Sequence, residues 1–272
     1  MPYLASLPMY DHAPIAGKTD LWWQVIRNEL LLRGIAAPNH LTRSDDSRSI
    51  WRNPELLLTQ CCGYDLMVNG YEELEPIVTP VYGYDDSEDG TYCSYIVVSK
   101  ASNIGTASDL KNSRLAINGY RSHSGYNAMR EFMAEELGPG QHGQDLVVSG
   151  SHYNSMKMVA DGEASAGAID CVTYGIVKSY APALVEQLSI LGKSPTHAVL
   201  PYAVPSIMNG EAKAMLQSAL FAAFNSPEHQ DVRDQLNIVT CVSKTRADYN
   251  SIKEAEEKWR EKMPDFLRKP SH

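Results

Sequence analysis

Ile117-Asn118-Gly119-Tyr120-Arg121-Ser122-His123-Ser124-Gly125-Tyr126-Asn127-Ala128-Met129-Arg130 is the stretch on which the reading of this chain turns. The run Arg114 to Ile117 predicts a strand that enters a Gly/Ser turn. A helical pattern follows, with Tyr126, Met129, Phe132, Met133 and Leu137 on one face and Gly138-Pro139-Gly140 as its stop. Ser122, Ser124 and Gly125 therefore fall where the first backbone N–H groups of a helix lack partners. Those groups, the positive end of the helix dipole and two hydroxyls together can hold an oxyanion. Gly125 would let a ligand approach the backbone closely. The plainer account is that Ser122 or Ser124 only caps the helix, and the segment alone leaves both readings open.

Composition narrows the function. The chain has 272 residues, room for one large domain or two ordinary ones. Hydrophobic residues make up 43% and charged residues 21%, a globular balance. A net charge of -9 argues against nucleic acid, which needs a basic stripe, and gives no attraction to anionic membranes. A small anion is still permitted, because local donors outweigh net charge at a closed site. No apolar run reaches the length of a membrane span. The segment Met1 to Leu7 has neither a basic n-region nor an apolar h-region, so no signal peptide is visible and the chain as it stands reads as cytoplasmic. The five cysteines, Cys61, Cys62, Cys93, Cys171 and Cys241, are odd in number and scattered, unlike a disulfide framework. The eight histidines lack HxxxH or HExxH spacing and there is no CxxC, so neither a metal nor a cofactor is expected.

Short apolar runs alternate with helical patterns, which predicts an α/β fold. Strands are expected at Tyr3 to Met9, Leu56 to Thr59, Glu75 to Tyr82, Tyr92 to Ser99, Leu146 to Val148, Ala164 to Cys171 and Leu188 to Leu191. Helices are expected from a Thr19 cap to Gly34, around Asp109-Leu110, around Met156 and Val159, and from Val172 to Tyr180. After the extended stretch His197 to Pro205 the remainder reads as helical: Glu211 to Phe224, Glu228 to Leu236 and a charged surface helix from Asp248 to Lys262. Two α/β units joined by extended crossings near Tyr92 to Val98 and His197 to Pro205 predict two lobes, 1–95 plus 200–272 and 96–199. A cleft lined by strand C-termini and helix N-termini is expected between them.

Four ordered stretches carry a family likeness: Leu4-Ala5-Ser6-Leu7-Pro8-Met9-Tyr10-Asp11, Thr91-Tyr92-Cys93-Ser94-Tyr95-Ile96-Val97-Val98, Ser122-His123-Ser124-Gly125-Tyr126, and Gly150-Ser151-His152 through Ala168-Ile169-Asp170. In these the chain resembles the phosphonate-binding, PhnD-like family of periplasmic solute-binding proteins. The resemblance implies a type II two-lobed periplasmic-binding-protein fold with two crossing hinge strands. It implies a phosphonate or similar oxyanion on Ser122, Ser124 and Gly125, with Tyr92 and His152 lining the cleft and Asp170 recognising an amine. Tyr10 would close the cleft from the other lobe, and the loop Gln60-Cys61-Cys62-Gly63-Tyr64 would face it. His123 departs from relatives, which often carry a small residue there, and relatives are exported.

The resemblance thus implies a non-enzymatic solute-binding protein for a small oxyanion, served by an ABC permease. Two alternatives are a cytoplasmic enzyme on the same fold, like the menaquinone-pathway dehydratases, and a ligand sensor. Each candidate also has an ordinary structural role. Asp170 can cap the helix near Val172, His152 can be a satisfied core histidine, and Tyr92 can pack in the hinge. Cys61 and Cys62 can be small buried fillers.

Overall fold

The computed structural model describes residues 3–44, 46–140 and 143–263. The chain divides into two compact units, Met1–Gly83, Ser87–Thr91 and Ala198–Asn250 forming unit one, and Tyr84–Asp86, Tyr92–His197 and Ser251–His272 forming unit two. In chain order, unit one opens with β1 (Leu4–Ser6), α1 (Ala16–Leu32), α2 (Ser47–Trp51), β2 (Leu56–Gln60), α3 (Gly63–Met67) and β3 (Leu74–Tyr82). After β4 (Thr91–Tyr92) come the elements of unit two: β5 (Ser94–Ser99), β6 (Arg114–Ile117), α4 (Ala128–Leu137), β7 (Asp145–Val148), α5 (His152–Ala160), β8 (Ala166–Asp170), α6 (Cys171–Tyr180), α7 (Pro182–Val185) and β9 (Leu188–Lys193). The chain returns at β10 (His197–Ala198) and adds β11 (Tyr202–Pro205), α8 (Gly210–Asn225), α9 (Gln230–Gln235) and β12 (Ile238–Val242) to unit one. α10 (Asn250–Lys262) then places residues from Ser251 onward in unit two.

The sheet of unit one runs β1-β2-β11-β3-β12, with β1 and β2 parallel and the remaining pairs antiparallel. α1 and α8 pack together over fully buried Trp22, Ile26, Leu30, Leu220 and Phe224. Trp22 meets Phe224 edge to face at 4.9 Å and donates its indole N–H to the Tyr202 hydroxyl at 2.9 Å. An indole buried this way keeps its apolar area without stranding its donor. α1 begins at Ala16 rather than after a Thr19 cap, because Pro14 in the preceding 3-10 turn presets the helical φ. Thr19 is instead buried in the helix with its hydroxyl lacking a partner.

β12 corrects the expectation that everything after Glu211 is helical. Ile238-Val239-Thr240-Cys241-Val242 is rich in β-branched residues and pairs along β3 from Ile238 opposite Tyr82 to Val242 opposite Thr79. Asn237, at φ 53, ends the preceding helix by turning the backbone left-handed.

Unit two has the order β7-β6-β8-β5-β9. β6 is parallel to both β7 and β8, while β5 runs antiparallel to β8 and β9. β8 is buried at every position, and its Gly167 lies against α5, where an added Cβ would touch Ser155 and Val159 at 3.5 and 3.6 Å. Small residues here bring helix and sheet close. The core gathers Ile96, Val98, Leu115, Ile117, Tyr126, Met129, Phe132, Met133 and Ala168.

α10 joins this unit, whereas the sequence reading assigned 200–272 to the first lobe. It is also not a wholly exposed charged helix, because Ile252, Glu256 and Trp259 face inward. The buried Arg130 guanidinium pairs with Glu256, and the Trp259 indole donates to Glu131 at 3.2 Å. A buried charge needs such a partner, and this need fixes where the helix docks.

Candidate functional site

Because β7, β6 and β8 are parallel neighbours, their C-terminal ends share one edge of the unit-two sheet. Each strand runs into a helix start there: a π turn and α4 after β6, α5 after β7, and α6 after β8. Unpaired N–H groups and positive dipole ends collect at such an edge.

The first helix start differs from the expected α-helix. His123–Asn127 form a π turn, with the Asn127 N–H reaching back to the Ser122 carbonyl at 3.2 Å and the Ala128 N–H to that of His123. A π turn of this kind widens the backbone and is frequent at functional sites. Gly125 lies within this turn. A Cβ there would lie 1.8 Å from the Asn118 Oδ1, so the Asn118 side chain occupies the space a larger residue would need. Gly125 thus admits a neighbouring side chain. Asn118 Oδ1 is itself buried and has no hydrogen-bond partner.

The serines divide the two roles left open by the sequence. Ser122 is the N-cap, its Oγ accepting the Gly125 N–H at 3.0 Å. Ser124 is half-buried and meets Nε2 of His152 at 2.8 Å. His152 is the first residue of α5, which Ser151 caps by accepting the Asn154 N–H at 3.1 Å. Its Nδ1 lies 3.1 Å from the Ala168 carbonyl, which can only accept, so Nδ1 carries a hydrogen. In a neutral ring Nε2 is then the acceptor, and Ser124 gives it its single hydroxyl hydrogen. Ser149, between β7 and α5, fastens the edge by donating to the Ile117 carbonyl at 3.1 Å and meeting the Ser155 hydroxyl at 2.7 Å.

Asp170 ends β8, is buried, and caps α6 by accepting the Thr173 N–H at 2.8 Å. Tyr92, the first residue of the long unit-two segment, is buried. His123 lies between the two serines in sequence. It is 1% exposed, and its ring meets that of His197 edge to face at 4.3 Å. His197 in turn lies 3.1 Å from Glu131. Desolvation, followed by the His197 and Arg130 charges, holds the His123 imidazole well below its ordinary pKa, so it is neutral. The sequence reading did not foresee this polar core of His123, Arg130, Glu131, His197, Glu256 and Trp259. Its one sequence signal is the Arg130-Glu131 pair interrupting the apolar face of α4.

Tyr10, Gln60 and Cys61 belong to unit one. Tyr10 stacks edge to face on Tyr82 at 5.2 Å. Gln60 is buried and donates to the Leu200 carbonyl at 3.2 Å. Cys61, next to Gln60 in sequence, is fully buried, and its thiol is pushed well above its ordinary pKa by burial and then by the Cys62 and Asp65 charges. Such a thiol stays protonated and unreactive. A depression of about 400 Å³ on unit one is bordered by Arg246, whose guanidinium is occupied by the carbonyls of Leu66, Glu72 and Leu74. It therefore offers an anion no free cation among the described residues.

Solved structures similar to this chain include two-lobed periplasmic binding proteins. A binding-protein component of an ABC phosphonate transporter from Pseudomonas aeruginosa is 14% identical, with a TM-score of 0.77 over 100% of this chain and 90% of that one. PhnD1 from Prochlorococcus marinus, solved with methylphosphonate, is 18% identical, with a TM-score of 0.72 over 94% and 97%. A Xanthomonas citri protein bound to ATP is 15% identical, with a TM-score of 0.73 over 96% and 99%. No curated protein matches the sequence. The class is thus that of the two-lobed, type II periplasmic binding proteins. Within it, residues 56–249 match the family described as ABC transporter, phosphonate, periplasmic substrate-binding protein, and the chain belongs to that family. The family consists of substrate-binding proteins of transporters, not enzymes. No helix among the described residues is long and apolar enough to cross a membrane.

Proposed function

We propose that this protein captures a phosphonate-like oxyanion at the unit-two edge formed by Ser122 to Gly125 and His152, in the periplasm, for delivery to an ABC permease. The observation that supports this most is the contact between the Ser124 hydroxyl and His152 Nε2 at 2.8 Å, where two helix starts meet. Donors fixed in position before a ligand arrives lose little freedom on binding it. Charge-assisted hydrogen bonds from hydroxyl and amide groups suit the three equivalent oxygens of a phosphonate.

Asp170 sets the organic tail in this reading. It brings a buried carboxylate to the end of β8, beside the strand that carries the head-group turn. A phosphonate bearing an amine is therefore favoured over methylphosphonate. Titration calorimetry against methylphosphonate, 2-aminoethylphosphonate, phosphate, phosphite and sulfate tests both parts. Binding of a phosphonate with loss in Ser124→Ala supports the site. Folded protein that stays silent across the panel overturns it.

A further inference from the structure

The five cysteines divide by unit: Cys61, Cys62 and Cys241 fall in unit one, and Cys93 and Cys171 in unit two. An odd total therefore conceals an even pair. Cys93 immediately precedes β5, whose first residue Ser94 pairs with Asp170 at the end of β8. Just beyond this register Cys171 opens α6, and its N–H donates to the Cys93 carbonyl at 3.0 Å. Both cysteines are buried, at 4% and 1% exposure. Their thiols are within hydrogen-bonding reach of each other, and the Cys171 sulfur also contacts the Asp86 carbonyl at 3.5 Å.

We infer that Cys93 and Cys171 close a disulfide in the mature protein, clasping the entry of β5 to the first turn of α6. The inference rests on the periplasmic reading for its oxidant, since that compartment is kept oxidising. The oxidant is a disulfide, small-molecule or protein-borne, meeting the chain before these residues are buried. One cysteine thiolate attacks it, forming a mixed disulfide and releasing one thiol. The other thiolate then attacks the mixed disulfide and releases the second thiol. The two cysteines lose two protons and two electrons, and the oxidant is reduced to two thiols.

In the folded protein Asp86, Asp170 and Lys193 surround the pair. Contact with Cys171 lowers the Cys93 thiol below its ordinary pKa, while the same contact raises that of Cys171. Cys93 is thus the more acidic thiol of the pair when the bond is reduced. The clasp lies one residue from Asp170, so it fixes the helix start that this carboxylate caps.

The test refolds the full chain in a buffer of oxidised and reduced glutathione, quenches with an alkylating reagent and maps the peptides. The expected result is a Cys93–Cys171 cross-linked peptide, three alkylated cysteines, and a melting temperature that falls by about 5 °C or more on reduction. Cys93→Ser should lose both the cross-link and that shift. The variant Cys61→Ser/Cys62→Ser/Cys241→Ser, which retains only the pair, should form the same bond. Should that variant fail to fold, the wild-type peptide map decides. Native protein with all five cysteines alkylated, or with its bond among the unit-one cysteines, overturns the inference. Native protein that maps with all five cysteines alkylated yet binds a phosphonate would sink the clasp and leave the function standing. A clasped protein that ignores every phosphonate would do the reverse.

Discussion

At the scale of single residues, the hydroxyl of Ser124 has one hydrogen and two suitors. With a neutral His152 ring it points at Nε2, and an arriving oxyanion competes for the same hydrogen. Ser124→Ala should weaken a phosphonate by about ten-fold or more, the usual worth of a hydrogen bond to a charged group. Ser122→Ala should also cost about 1 kcal/mol of stability in denaturant unfolding, because it removes a cap. Asp170 separates charge from capping. Asn caps as well as Asp, so Asp170→Asn should keep the melting temperature while reducing the preference for an amine-bearing phosphonate over methylphosphonate. An unchanged ratio would remove Asp170 from tail recognition.

At the scale of elements, the π turn depends on the absence of a side chain at one position. Gly125→Ala drives a methyl group into the Asn118 carboxamide, which sits 1.8 Å from that point, so Asn118 or the turn must move. The expected cost is about 1–3 kcal/mol of stability, with weaker phosphonate binding. The paired change Gly125→Ala/Asn118→Ala should recover part of the stability, as a double-mutant cycle would measure. Most elements were legible from periodicity and punctuation. β6 begins and ends where its apolar pattern does, and Gly138 closes α4 as the sequence foretold. The failures have identifiable causes. β12 is short and follows two helices, so its β-branched run was outweighed by a helical context that only pairing with β3 corrects. The close fit of Asn118 against Gly125, which leaves no room for a side chain within the π turn, was illegible because the two are seven residues apart. Ser122 and Ser124 are two residues apart with similar chemistry, and nothing local says which caps and which turns to His152.

At the scale of the whole molecule, the family and the α/β architecture were readable because motifs survive in order along the chain. The polar core was not, since its members come from positions as distant as His123, His197 and Glu256. That core carries an acid sensitivity. His123 has its pKa lowered in the folded state, facing His197 and Arg130 with Glu131 close by. Below about pH 6.5 the unfolded chain takes up a proton that the folded one refuses. Stability is therefore retained above that value and falls as the pH drops below it, towards the folded-state pKa. Denaturant melts of His123→Gln should show a flatter decline over this window than wild type. Equal slopes would show that another group governs the acid limb.

The placement of α10 bears on biosynthesis. Neither unit is a continuous piece of chain: the first must wait for residues 198–250, and the second for the helix that brings Glu256 to Arg130. A ribosome therefore synthesises almost the whole polypeptide before either half can finish folding. The last contacts of the second unit are therefore made only once residues 251 onward are available.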